Sequence, residues 1–144
     1  MHFKIDRGSS IHLGCHFNCS GKFQMGKNST VNQFCHLDNR GGISIGENVS
    51  ISPHVSVITA DHDINDEFCT GREGAVVIEN YVFIGYGAKV FKDCNLAYGS
   101  VIGAASLVTK STEPYGVYYG VPARLASYRN KTFKYSGSYK RLFH

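Results

Sequence analysis

Between Ile78 and Val108 an aliphatic residue recurs at every sixth position: Ile78, Ile84, Val90, Leu96, Ile102 and Val108. The fifth place of each six is compact, being Val82, Ala88, Cys94, Ser100 and Ser106 in turn. A helix would repeat near 3.6 residues and a two-layer sheet would alternate strictly, so a period of six fits neither. It fits a coil of short strands and turns, in which each side places one aliphatic side chain in the interior. Three sixes close one triangular coil, and stacked coils share a continuous apolar core. The expected fold class is therefore all-β, a parallel prism of roughly five coils with a strand spacing of about 4.8 Å.

Upstream the same phase runs from Leu13 as LGCHFN, CSGKFQ, MGKNST, VNQFCH and LDNRGG. Its openers are Leu13, Cys19, Met25, Val31 and Leu37, with Phe17, Phe23, Ser29, Cys35 and Gly41 in the fifth places. At Gly41-Gly42 the phase slips by two residues and resumes at Ile45 as IGENVS, ISPHVS, and Val57 opens one more block. Glycine adopts backbone angles that other residues avoid, so a Gly-Gly pair is a cheap place to adjust a corner. In residues 1–12, Phe3, Ile5 and Ile11 read as an opening turn that caps the stack.

Past Val108, STEPYGVYYGVPARL is punctuated by Pro114, Gly116, Gly120 and Pro122, which predicts a loop returning along the prism. The tail ASYRNKTFKYSGSYKRLFH alternates basic and aromatic residues and leaves a short helix, an extended arm or disorder open. The expected division is a solenoid over 1–112, including a loop at 59–75, and a C-terminal loop and tail over 113–144.

A chain of 144 residues makes one domain with a real core. Of the five cysteines, Cys19, Cys35 and Cys94 fall on inward places as small hydrophobes. Cys15 and Cys19 have no second pair to complete a zinc site, so no metal is expected. The net charge of +4 comes without a dense basic stripe, so a nucleic-acid partner is not expected. No apolar run is long enough to span a membrane and HFKIDRGSS has no signal core, which gives a cytoplasmic expectation with no transmembrane segment.

The six-residue pattern fails between Thr59 and Ala75, where TADHDINDEFCTGREGA is polar and acidic at its start. A solenoid regular on both sides has let a loop leave its wall, and such insertions often carry the binding face. His62 sits there between Asp61 and Asp63. An imidazole with an ordinary pKa of about 6.5 is largely neutral near pH 7 and can accept a proton. A neighbouring carboxylate can fix its tautomer and stabilise the imidazolium. Several of the other histidines (His2, His12, His16, His36, His54 and His144) read as surface residues.

From Met25 to Arg124 the chain resembles the hexapeptide-repeat acyltransferases and is similar to galactoside, maltose and polysaccharide O-acetyltransferases. The residues that carry the likeness are MGKN, the VN at 31–32, IGEN at 45–48, SP at 52–53, TADH at 59–62, VTK at 108–110 and GVPAR at 120–124. The resemblance implies a left-handed parallel β-helix, although the usual rule for parallel crossovers favours the other hand. It further implies a homotrimer with active sites between neighbours, acetyl-CoA as donor and His62 as general base. It places Asn32 against the acceptor sugar and gives Asp61, Asp63 and Glu73 as orienting or acceptor-side candidates. On the donor side it implies an oxyanion-facing backbone N–H at Gly85 and Tyr86. There too, Gly103 and Ala104 line the pantetheine arm, and Thr109, Lys110 and Arg124 approach the CoA phosphates.

Asp38-Asn39-Arg40 stands one residue out of register with the acidic residues of the galactoside enzymes, and the loop is shorter. The expected reaction is acetyl transfer to a sugar hydroxyl, in a surface polysaccharide unit or its precursor. An amino sugar, serine or an antibiotic stays open as acceptor. Two other classes also remain: a non-catalytic acyl-CoA binder, and a zinc enzyme of the γ-carbonic-anhydrase type. The latter would need three converging histidines, and only His54 and His62 are near each other in sequence.

Overall fold

From Ile78 to Val108 each aliphatic opener sits on a strand of two or three residues, and the strands fall six apart on the three sides of a coil. The structure, a computed structural model, describes residues 3–137. The first coil is β1 (Lys4–Ile5), β2 (Ser10–Ile11) and β3 (His16–Phe17); the second is β4 (Phe23–Met25), β5 (Thr30–Val31) and β6 (His36–Asp38). The third is β7 (Ile43–Ile45), β8 (Ser50–Ile51) and β9 (Ser56–Ile58), after which a hairpin of β10 (Ala60–His62) and β11 (Gly71–Glu73) leaves the wall. The fourth coil is β12 (Val76–Ile78), β13 (Phe83–Ile84) and β14 (Lys89–Phe91); the fifth is β15 (Asn95–Leu96), β16 (Val101–Ile102) and β17 (Leu107–Val108). Two further strands follow, β18 (Gly116–Tyr119) and β19 (Arg124–Tyr128).

The strands stack in parallel into three faces: β1-β4-β7-β12-β15, then β2-β5-β8-β13-β16-β18, then β3-β6-β9-β14-β17. The architecture is the left-handed parallel β-helix, all-β over the described residues. All six openers from Ile78 to Val108 are at most 2% exposed, as are their compact partners Val82, Ala88, Cys94, Ser100 and Ser106. Each fully buried aliphatic side chain contributes roughly 1.5–3 kcal/mol, so the ladder supplies most of the driving force.

The first half needs a correction. Leu13 and Cys19 are not inward openers: Leu13 is 76% exposed and Cys19 lies half-buried on a corner. Partner residues on the first three coils are 20 apart (Lys4 with Gln24, Gln24 with Ser44), against 18 for Val77 with Asn95. The two extra residues lie at the corner between the third and first faces, in residues 18–22 and again at Gly41-Gly42. The buried Asn39 fills the widened corner: its Oδ1 accepts the Cys19 N–H (3.1 Å), and its Nδ2 donates to the carbonyls of Cys19 (3.0 Å) and Gly21. Gly42 has φ 104° there, so the corner uses the freedom of glycine. The hairpin leaves from this same corner in the third coil. Among the cysteines, Cys35 and Cys94 are buried, and burial pushes the Cys35 thiol up to about 12.

Phe3, Phe17 and Phe23 meet edge-on or tilted, with centroids 4.8–5.1 Å apart, and close the N-terminal end of the core. At the other end, residues 116–119 form a strand where the sequence predicts a loop. β18 pairs in parallel with β16, burying Val117, and β19 returns antiparallel to it. The period of six hides this strand because Val101 pairs with Val117, only 16 residues on.

The tail up to residue 137 is an extended arm. It descends the corner between the first and second faces, where Phe133 stacks on Tyr81 (4.8 Å) and the Gly137 N–H reaches Asn48 Oδ1 (3.2 Å). The rest of the tail, with His144, and the N-terminal His2 lie outside the described residues. No helix among the described residues is long and apolar enough to cross a membrane.

Candidate active site

In β10 and β11 the register sets Asp61 opposite Arg72 and His62 opposite Gly71. The Arg72 guanidinium grips Asp61 with two parallel bonds, Nε to Oδ1 at 2.9 Å and Nη2 to Oδ2 at 3.0 Å. It also lies 3.7 Å from Asp63 Oδ2. The flanking carboxylates therefore face Arg72 and do not orient the imidazole. What orients it is the Cys69 carbonyl, 2.7 Å from His62 Nδ1. A carbonyl only accepts, so Nδ1 carries a proton, and in the neutral ring the lone pair falls to Nε2. Cys69 itself has φ 47°, which aims that carbonyl back across the loop.

His62 is exposed, on the rim of a cleft of about 250 Å³ lined also by Arg40, Asp61, Arg72 and Glu73. Glu73 pairs with Lys22 (3.2 Å), away from the ring. Arg40 is held by two bonds of 2.8 Å to Asp38, which is 2% exposed. Those bonds keep the Asp38 carboxyl below its usual range. Arg40, Arg72 and the Cys69 carbonyl were not singled out from sequence. Arg72 becomes visible only once 59–75 is read as a hairpin, since its partner is eleven residues away.

The Arg72 bonds likewise hold Asp61 below the ordinary carboxylate range. A depressed carboxyl stabilises the fold above its unfolded pKa, and that contribution is lost as pH falls through the folded value. The hairpin is therefore expected to loosen in acid below about pH 4 while the solenoid stays folded. Amide exchange measured residue by residue along the pH series checks this: β10 and β11 should lose protection first.

A second group of predicted residues gathers on a different corner, between the second and third faces. Asn32, Gly85 with Tyr86, and Gly103 with Ala104 lie there on the second, fourth and fifth coils. Asn32 is 4% exposed; its backbone N–H and Nδ2 both donate to the Ile51 carbonyl, at 2.9 and 2.8 Å, and its Oδ1 has no partner among the described residues. The Gly85 N–H is committed to the Ile102 carbonyl (2.7 Å), so it serves the wall. Tyr86 is 57% exposed, its ring 5.2 Å from His54, which stacks on Phe34 at 5.3 Å. The space that Gly103 frees is taken by the chain's own Tyr119 ring, 2.1 Å from where a Cβ would stand, and so is not open to a pantetheine arm from that side.

Lys110 and Arg124 share a cleft of about 360 Å³ at the end of the third face, with Ser111, Tyr118 and Leu125. Thr109 is exposed beside it but does not line it. Among the described residues no group of three His, Cys, Asp or Glu side chains could hold a metal.

No family model matches the chain. It is 45% identical over 53 residues to a chloramphenicol acetyltransferase of Klebsiella aerogenes, covering 37% of this chain and 25% of that protein. It is 37% identical over 68 residues to a dTDP-4-amino-4,6-dideoxy-D-glucose acyltransferase of Escherichia coli, covering 47% and 35%. The crystal structure of a hexapeptide-repeat acetyltransferase of Vibrio cholerae superposes with a TM-score of 0.81 at 23% identity, over 85% of this chain and 71% of that one.

The chain shares its fold with hexapeptide-repeat acetyltransferases. A galactoside acetyltransferase solved with coenzyme A shares the fold, with a TM-score of 0.76 at 23% identity over 90% of this chain and 72% of that one. The alignments to the two curated relatives span about a quarter and about a third of those proteins' lengths. The predicted residues fall in three places: the hairpin, the corner between the second and third faces, and the cleft of Lys110 and Arg124.

Proposed function

We propose that the chain transfers an acetyl group from acetyl-CoA to a sugar hydroxyl, in a surface polysaccharide unit or its precursor, with His62 as general base. The observation that carries this is the His62 ring itself, its Nδ1–H spent on the Cys69 carbonyl and its Nε2 at the rim of a cleft with no partner among the described residues. As the acceptor oxygen attacks the thioester carbonyl, Nε2 takes the hydroxyl proton. The tetrahedral oxyanion then collapses, the carbon–sulfur bond breaks, and the imidazolium returns the proton to the departing CoA sulfur. The products are an acetyl ester and free CoA.

The oxyanion falls to the backbone N–H of Tyr86, because that of Gly85 is already bonded. Lys110 and Arg124 take the CoA phosphates, where a guanidinium can bind two oxygens at once. His62 springs from the corner between the third and first faces, and Tyr86 from the corner between the second and third. A site that needs both is completed by a neighbouring copy, which favours a closed ring of three for a three-sided prism. Use of acetyl-CoA as donor supports a cytoplasmic location.

A second reading is favoured by the amino-sugar acyltransferase relative: transfer to the amine of a nucleotide-linked 4-amino-4,6-dideoxy sugar. Thiol release from acetyl-CoA separates the two, using neutral oligosaccharides and nucleotide sugars in one set and the amino sugar in another. Release above background is expected with the hydroxyl acceptors. Release confined to the amine replaces the first reading by the second, and none with either leaves a CoA-binding protein without turnover.

A further inference from the structure

The loop joining β10 to β11 is organised around one carboxylate. Residues 63–66 and 66–69 form two successive turns, closed by the Asp66 N–H on the Asp63 carbonyl (3.3 Å) and the Cys69 N–H on the Asp66 carbonyl (2.9 Å). The Asp63 N–H reaches the Thr70 carbonyl (2.8 Å) and shuts the loop. Inside it, Asp66 Oδ1 accepts the Phe68 N–H (3.3 Å) and Oδ2 accepts the Thr70 N–H (3.2 Å). Bonding from Thr70 and then Phe68 holds the Asp66 carboxyl below its usual range.

The Thr70 N–H and the Cys69 carbonyl are two ends of the same planar peptide unit and point in opposite directions. At one end sits the Asp66 carboxylate; at the other, 2.7 Å away, the Nδ1–H of His62. Anchoring the N–H fixes the plane of the peptide. A negative charge there also polarises the unit toward its oxygen, which makes that oxygen a stronger acceptor.

We propose that Asp66 is a positioning residue that acts on His62 through the Cys69–Thr70 peptide, holding the ring with its proton on Nδ1. This rests on His62 being the base. Asp66 does at one peptide's remove what a directly bonded carboxylate does for a catalytic histidine. Asp61 and Asp63, its sequence neighbours, are turned to Arg72 and leave that task vacant.

Asp66→Asn keeps the shape but leaves one acceptor oxygen for two N–H groups. The expected result is a fall in kcat of about tenfold or more, with KM for acetyl-CoA changed by less than about twofold. The imidazole ¹⁵N spectrum of His62, assigned by its absence in His62→Ala, should pass from a single Nδ1–H tautomer to a mixture. Asp66→Ala should do the same to a greater degree, and since the loop lies outside the solenoid core, both variants should keep the wild-type unfolding midpoint. An unchanged kcat with an unmixed tautomer in Asp66→Asn overturns the proposal, and so does a loss that appears only in KM. If His62→Ala retained turnover, the base assignment would fall instead, and the tautomer spectrum would still decide the role of Asp66.

Discussion

His62→Ala is expected to lower kcat by about 10²- to 10⁴-fold, the usual worth of a positioned general base. The assembly, the unfolding midpoint and the affinity for CoA should remain as they are. The ring is exposed and contributes nothing to the buried ladder, and the hairpin that carries it is stitched by Arg72 and Asp61. Removing the ring forfeits one bond to the Cys69 carbonyl, worth about 0.5–1.5 kcal/mol. That loss is confined to a loop outside the core. Turnover, calorimetric binding of CoA and thermal unfolding on the same preparation separate a chemical loss from a structural one. Undiminished thiol release from the variant removes His62 from the chemistry.

The solenoid was readable because each side of each coil has one obligatory inward position, and in the second half nothing interrupts the count from Ile78 to Val108. The first half misled at Leu13 and Cys19 because the widened corner before Phe23 adds two residues. Phe17 packs against the core and Phe23 is buried, so both phases offered an apolar residue. Only the buried Asn39, whose bonds reach back to Cys19 and Gly21, reveals the corner, and that pairing is twenty residues long.

The hairpin that carries His62 was legible for a similar reason, since a polar excursion from a regular wall stands out. Its support was not. Asp61 and Asp63 flank His62 in sequence, but successive side chains on a strand point to opposite faces, so Asp61 meets Arg72 across the hairpin while the ring turns away. A backbone carbonyl, which is what holds the ring, leaves no mark in the sequence. At Gly103 a glycine can admit a ligand or another part of its own chain, and the sequence does not show that the Tyr119 ring takes that space.

Tyr86→Pro is expected to lower kcat by about 10²- to 10³-fold, the usual cost of one oxyanion donor, with the fold unchanged. Proline removes the backbone N–H and fixes φ, which in most places would break a structure. Here the structure supplies its own control. Phe83 and Ile84 pair with Ser50 and Ile51, so Tyr86 stands directly above Pro53 on the same corner of the preceding coil. The carbonyls of both residues accept an N–H from the coil that follows: Pro53 from Gly87 (3.1 Å), Tyr86 from Ala105 (2.8 Å). Proline is thus compatible with this position and leaves the carbonyl side of the ladder intact. Tyr86→Phe, which keeps the N–H, should retain activity, so that loss in the proline variant is assigned to the backbone. Co-assembled with His62→Ala, Tyr86→Pro should regain activity neither has alone. If hairpin and corner meet across an interface, random mixing restores about a quarter of the sites. A silent mixture of two variants that each assemble and bind CoA would mean that the two corners never share a site, and the exchange between neighbours would have to be abandoned.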